Sequence, residues 1–159
     1  MGETNIGFWR LHCQVFCTPA ERMYSSSEMN AVDNKTRRVL YVDDMRELRE
    51  VASLALTRCG HKVDSAPDGK DALDMVMANM DAYDIVISDH HMGGMNGLEL
   101  VMRLREIRYP GMIAIVSSEL NEDVEEEYRH HGIERILYKP VALSDLRSLV
   151  LEAEVRHSQ

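Results

Sequence analysis

Downstream of Arg38, short apolar runs alternate with longer stretches in which apolar residues recur every three or four positions. The runs at 39–42, 62–66, 84–88, 112–116 and 135–138 have the length of strands. Between them, residues 45–59 place Leu48, Val51, Ala52, Ala55 and Cys59 on a helical stripe that Gly60 stops. Residues 68–80 repeat the pattern with Ala72, Leu73, Val76, Met77 and Met80, and residues 96–107 with Leu98, Val101 and Met102 ahead of Pro110 and Gly111. Residues 121–131 form a polar, acidic helix that ends at Gly132, and residues 143–155 close with Leu143, Leu146, Leu149, Val150 and Ala153. Five strand–helix units in succession predict an α/β domain whose parallel sheet is covered on both faces. Strands buried on both sides read as continuous apolar runs, as those at 39–42, 84–88 and 112–116 do, while 62–66 is a short strand candidate. Ligands of such sheets bind beyond the carboxyl ends of the strands, near a switch in strand order.

The chain has 159 residues, enough for one domain with a sizeable core. Its net charge of −9 argues against binding nucleic acid, whose phosphates demand a basic face, and against anionic membrane surfaces. The longest strictly apolar run, 112–116, is far short of the roughly 20 residues that span a bilayer. Glu3, His12 and Gln14 spoil a signal peptide, and Ile6 occupies the position where a myristoylation motif needs Ser or Thr. Three cysteines, Cys13, Cys17 and Cys59, without a secretion signal fit a reducing cytoplasm. His12, Cys13 and Cys17 fall short of the four ligands of a structural zinc site. Residues 1–36 are expected to be an extension. Phe8, Trp9, Leu11, Val15 and Phe16 give it a short amphipathic helix or mark an upstream start, and residues 24–35 read as a linker. The domain is then expected at 37–157.

The chemistry collects at the strand ends. Asp43 and Asp44, Asp89, Ser117 and Lys139 each follow an expected strand, so the fold must bring them to one rim of the sheet. Three carboxylates in one pocket repel one another. A hard divalent cation such as Mg²⁺, which takes oxygen ligands and keeps waters, removes the conflict. A lysine and a hydroxyl beside it suit a phosphoryl group carried on an aspartate.

This constellation resembles the receiver domain of response regulators, in particular the chemotaxis-type single-domain receivers. The motifs are Asp43-Asp44, Asp89-His-His-Met-Gly-Gly-Met-Asn-Gly97, Ser117-Ser118 and Tyr138-Lys139-Pro140. The resemblance implies a flavodoxin-like sheet of order 2-1-3-4-5 and a phosphoacceptor switch of a two-component phosphorelay, not an enzyme with turnover on other substrates. It implies Asp89 as phosphoacceptor, and Mg²⁺ held by Asp44, Asp89 and the His91 backbone carbonyl, with Asp43 through water. It also implies that Ser117 and Lys139 contact the phosphoryl group, and a cis bond before Pro140. The expected partners are a sensor histidine kinase or histidine phosphotransfer protein and a downstream protein. Two positions depart from the family pattern. Gly93 stands in place of proline, and Ile136 occupies the position of a rotating aromatic switch. Tyr138, next to Lys139, is expected on the opposite side of the strand, so output is expected to run through Ser117 and the helix after it.

His91 and Glu119, two past Asp89 and two past Ser117, are candidates for modulating phosphoryl lifetime. His90 reads as a solvent-facing loop residue, with a metal or pH-sensing role as the alternative. The acidic run Glu122, Asp123, Glu125, Glu126 and Glu127 reads as a solvated helix face, or else as a docking surface for a basic partner. His130 and His131 are expected exposed at a helix end, and the methionines at 75, 77, 80, 92, 95 and 102 as core filling. Gly69-Lys70 is not a P-loop, because Asp64 takes the first required glycine position. Two other classes compete with the switch: a phosphorylation-independent interaction module of the same fold, and a metal-dependent phosphohydrolase, which would want an acid where His91 stands.

Overall fold

The computed structural model describes residues 35–154. The readings made for residues 1–34, including His12, Cys13 and Cys17, and for Val155 onward lie outside them. Ten elements alternate: β1 (Arg38–Val42), α1 (Arg46–Arg58), β2 (Lys62–Ala66), α2 (Gly69–Ala78), β3 (Ile85–Asp89), α3 (Gly97–Glu106), β4 (Met112–Ser117), α4 (Glu122–His130), β5 (Ile136–Tyr138) and α5 (Leu143–Glu152). The strands form one parallel sheet of order β2-β1-β3-β4-β5, the expected order. Its switch point lies between β1 and β3, where Val42 pairs with Ser88.

Two apolar layers sandwich the sheet. Val39, Tyr41, Ile85, Ile87, Ala114 and Val116 face α1 and α5, while Leu40, Val42, Val86, Ile113 and Ile115 face α2, α3 and α4. Alternate residues of each run serve opposite layers, so the central strands are apolar throughout. Arg37, buried just before β1, ties the start of the sheet to the end of α5 through Nε to Ala153 O (3.1 Å) and Nη2 to Leu151 O (3.2 Å).

The inward faces of the helices are narrower than their sequence stripes. In α1 the buried residues are Ala52 and Leu56, while Val51 and Cys59 are exposed. In α3 they are Gly97, Leu100, Val101 and Leu104, and Met102 is exposed. A helix packed flat on a sheet buries only the rows three and four residues apart that touch it, and apolar residues off those rows face water. Of the methionines expected in the core, Met92 is buried, Met75, Met80 and Met95 are partly buried against it, and Met77 and Met102 are exposed.

Helix ends follow capping chemistry. Asn96 and Glu99 form a reciprocal capping box on α3, and Asp68 and Asn121 cap α2 and α4. Gly60 and Gly132 take positive φ after α1 and α4, each closing a Schellman turn. At the end of α3 the same place is filled by Arg108, with φ 56°. A left-handed conformation costs a residue with a Cβ about 1–2 kcal/mol, against which glycine's extra unfolded-state freedom weighs about 0.5–1 kcal/mol. Arg108→Gly is therefore expected to raise stability by about 0.5–1 kcal/mol, read by urea unfolding; a lower midpoint would contradict it.

His61 is buried behind α1, where its Nδ1 accepts the Arg37 N–H at 3.3 Å. Burial, then the charges of Arg37 and Arg147, push its pKa below the ordinary value. The unfolded chain thus binds a proton that the fold refuses. Stability is complete above the unfolded pKa of about 6.5 and is lost as pH falls from there towards the lowered folded pKa. Asparagine keeps an acceptor near Nδ1 but cannot ionise. The melting temperature of His61→Asn is expected to fall less steeply than the parent's between about pH 7.5 and about pH 5.5.

Candidate functional site

Every expected site residue that closes a strand reaches the same rim. Asp43 follows β1 and is fully buried, Asp44 beside it is exposed, Asp89 ends β3 at 6% exposure, Ser117 ends β4 buried, and Lys139 follows β5. The sheet order sets β1, β3, β4 and β5 side by side, so four consecutive strand ends deliver these groups. The Lys139–Pro140 bond is cis, and the Lys139 N–H donates to Ser117 O at 2.7 Å. Its ammonium donates to Asp43 Oδ2 at 3.0 Å and to Asp89 Oδ2 at 2.9 Å. Burial alone would lower the lysine's pKa, but the hydrogen bonds to Asp89 and Asp43 and their charges outweigh it, and the net shift is upward. Lys139 is a fixed cation here.

The loop after β1 is pinned by its own chemistry. Asp43 Oδ1 accepts the Met45 N–H at 2.9 Å, and Arg49 of α1 donates to the carbonyls of Asp43 (2.7 Å) and Asp44 (3.1 Å). Asp89 is held by the residues on either side: the Ser88 hydroxyl donates to Asp89 O at 2.8 Å, the His90 N–H donates to Val116 O and the Gly97 N–H to His90 O, both at 3.0 Å.

The carboxylates Asp43, Asp44 and Asp89 each offer an oxygen within 4.8 Å of the others. One ammonium against three carboxylates leaves the pocket negative. Asp89 Oδ1 is buried and has no hydrogen-bond partner among the described residues. A buried charged oxygen without a partner is costly, and a cation is the group that satisfies it. An all-oxygen donor set suits Mg²⁺ and not zinc or copper, so the residues present fit the ion that the sequence implied.

Residues 39–151 match the profile of the response regulator receiver domain. The chain belongs to this family. Receivers are phosphoacceptor signalling modules of two-component systems, and this chain has the acidic pocket of one. It is 32% identical over 111 residues to the two-component response regulator 24 of Arabidopsis thaliana, covering 70% of this chain and 79% of that protein. It is 33% identical over 138 residues to the sensor histidine kinase RcsC of Escherichia coli, but spans only 14% of that protein. Among solved structures, the chemotaxis protein CheY4 of Vibrio cholerae superposes with a TM-score of 0.68 at 27% identity, over 76% of this chain and all of that one. Among the described residues, no helix of the receiver is long and apolar enough to cross a membrane.

The structure corrects several expectations around the pocket. His90 is not a solvent-facing residue: it is half-buried, and its Nδ1 lies 2.7 Å from the hydroxyl of Tyr128. His91 is exposed; its ring stands edge to face with that of His90, centroids 4.5 Å apart, and its Nδ1 lies 3.4 Å from the Ser117 hydroxyl. That hydroxyl is turned into its own loop, donating to Glu119 O at 2.9 Å. Ile136 packs against the core facing α4. Tyr138 is exposed and donates its hydroxyl to Glu125 of α4. The acidic run of α4 is the solvated face expected, with Glu122, Asp123, Glu126 and Glu127 exposed and Glu125 half-buried, but the opposite row carries Tyr128, the largest fully buried side chain among the described residues. Val124 and Tyr128, four residues apart in an acidic segment, are the sequence signal that marks this inward row. His131 is only partly exposed and lies 3.4 Å from Glu127, while His130 is exposed.

Proposed function

We propose that this receiver takes a phosphoryl group onto Asp89 from a phosphohistidine of a sensor kinase or phosphotransfer protein, with Mg²⁺, and passes the signal on by binding another protein. The observation that carries the reading is the Asp89 carboxylate: one oxygen is held by Lys139 and the other is buried and unpartnered in an acidic cluster. Asp44, Asp89 and the His91 backbone carbonyl would hold the metal, and Asp43 through water. Bound there, Mg²⁺ would neutralise charge on the transferring group.

The chain's own residues supply the rest. A carboxylate oxygen of Asp89 attacks phosphorus as the donor's P–N bond breaks, leaving an acyl phosphate on Asp89 and an imidazole on the donor. Lys139, already fixed beside Asp89, pairs with a phosphoryl oxygen. The Ser117 hydroxyl leaves Glu119 O to bind another. His91 and Glu119, exposed on either side of the pocket, border the path of the water that hydrolyses the acyl phosphate and so set its lifetime. A cytoplasmic setting fits the free, exposed thiol of Cys59.

Labelling with a small phosphodonor tests this reading. Uptake of one phosphoryl group is expected with Mg²⁺, and none with a chelator or in Asp89→Asn. Unchanged mass with Mg²⁺, under conditions that label a known receiver, would overturn it. The interaction-module alternative wins if Asp89→Asn binds downstream protein as the parent does in both states.

The donor must lie on the surface next to the acceptor. Beside Lys139 an apolar groove runs between α1 and α5, lined by Tyr41, Leu48, Val51, Val116, Pro140 and Leu143, and Val51 and Leu143 are more than half exposed. Val51→Glu or Leu143→Glu is expected to slow transfer from a donor protein at least about tenfold, the cost of one lost interface anchor, while small-donor labelling stays unchanged. Equal slowing with both donors would show that the groove does not seat the donor.

A further inference from the structure

The family position of the rotating aromatic is Ile136, an aliphatic side chain that cannot carry a polar contact between β5 and the pocket. α4 is connected to the acceptor in another way. Of its nine residues only Tyr128 is buried, and this side chain runs beneath the helix to the loop that carries Asp89. Its hydroxyl meets His90 Nδ1 at 2.7 Å, and the two rings stand edge to face with centroids 5.6 Å apart. The His90 backbone is fixed by its bonds to Val116 and Gly97, so its Cα moves with the end of β3, and its ring is seated between the rings of Tyr128 and His91. At its carboxyl end α4 is closed by Gly132, and the Ile133 N–H returns to Tyr128 O at 2.9 Å. Tyr128 therefore anchors the carboxyl-terminal turn of α4. The amino-terminal turn follows the Ser117–Leu120 loop, whose shape depends on the Ser117 hydroxyl bonding to both the carbonyl (2.9 Å) and the N–H (3.3 Å) of Glu119.

We infer that Tyr128 is a positioning residue that, through its hydrogen bond to His90, makes α4 pivot about its carboxyl-terminal turn when Asp89 is phosphorylated. This rests on the phosphoacceptor reading above. Recruiting the Ser117 hydroxyl to the phosphoryl group frees Glu119 and releases the amino-terminal turn of α4. The Tyr128–His90 contact holds the other end, so the helix swings instead of shifting as a unit. Coupling of this kind needs a bistable element whose two ends respond differently to the ligand, and here the two ends of one helix are tied to different parts of one site.

The test compares amide hydrogen exchange with and without Mg²⁺ and fluoroberyllate, a phosphoryl mimic whose uptake is read separately by fluorine NMR. In the parent, loading is expected to change exchange at residues 121–124 and to leave residues 128–133 unchanged. Tyr128→Phe keeps the ring and removes only the hydroxyl. It is expected to load like the parent, but with loading now accelerating exchange at residues 128–133 by roughly five- to tenfold, the equivalent of one lost hydrogen bond. His90→Phe should behave like Tyr128→Phe. His90→Asn, whose amide offers a hydrogen-bonding group near the place of Nδ1, should restore the parent pattern. The ratio of loaded to unloaded exchange separates this role from a merely structural one, which would change both states alike. Protection of residues 128–133 in both phenylalanine variants on loading, or whole-helix release in the parent, would overturn the pivot. A parent that takes up no fluoroberyllate would overturn the phosphoacceptor reading, and the pivot with it.

Discussion

Lys139→Ala is expected to lose about 2–4 kcal/mol of stability in metal-free buffer and to recover much of it with Mg²⁺. The Lys139 ammonium bridges Asp43 and Asp89, whose side chains are 0% and 7% exposed while the lysine side chain is 19% exposed. Removing one member of a buried ion pair costs about 3–5 kcal/mol because the remaining charge is left in a poor solvent. The partial exposure of the lysine trims that figure. In the variant the remaining carboxylates repel one another with no ammonium between them, which favours opening of the loop to water. A divalent cation at about a hundred times its Kd adds about 2.7 kcal/mol by mass action. The variant should gain more from Mg²⁺ than the parent, because no ammonium competes for the same oxygens. Urea unfolding of both proteins with chelator and with Mg²⁺ measures the four stabilities. Equal stability of variant and parent under chelator, or an equal Mg²⁺ gain in both, would contradict this electrostatic account.

How far the site could be read from the chain depends on which kind of contact made it. Asp43, Asp44, Asp89, Ser117 and Lys139 were legible because backbone topology alone carries them: a parallel sheet of the expected order puts consecutive strand ends side by side whatever the side chains do. The central strands β1, β3 and β4 were equally legible, since their apolar runs are continuous. The inward face of α1 was not. Val51 lies in an apolar stripe yet faces solvent, and only the packing of α1 on the sheet decides between that row and the one through Ala52 and Leu56. His90 was misread, and Tyr128 drew no reading, because neither residue's own neighbourhood decides its burial. Each is polar enough to pass for a surface residue, and the contact between them spans 38 residues, a distance at which local pattern says nothing. Gly97 was legible only as the end of a motif, not as the point where three elements meet.

That meeting point carries the second large effect. Gly97 opens α3, and a Cβ built on it would lie 2.4 Å from Asp89 O, 2.9 Å from His90 Cα and 3.0 Å from the Tyr128 hydroxyl. Two of these neighbours are backbone at the end of β3 and just past it, which cannot rotate aside. In a helix interior, glycine to alanine gains about 1 kcal/mol of propensity. In the first turn, against backbone at these distances, overpacking costs about 1–3 kcal/mol or more and decides the sign. Gly97→Ala is expected to lose about 2 kcal/mol and to push the Asp89 carbonyl away from α3, taking the Asp89 carboxylate out of line with Lys139. A misplacement of about 1 Å at a reacting group costs up to about a hundredfold in rate, so small-donor labelling should slow by roughly 10–100-fold even at temperatures where the variant is fully folded. Gly93 is the matched control four residues earlier: a Cβ there meets nothing within 4 Å and its φ is not positive. Gly93→Ala should therefore stabilise the receiver by about 0.4–1 kcal/mol by restricting the unfolded chain. If Gly97→Ala labels as fast as Gly93→Ala, α3 does not set the position of Asp89.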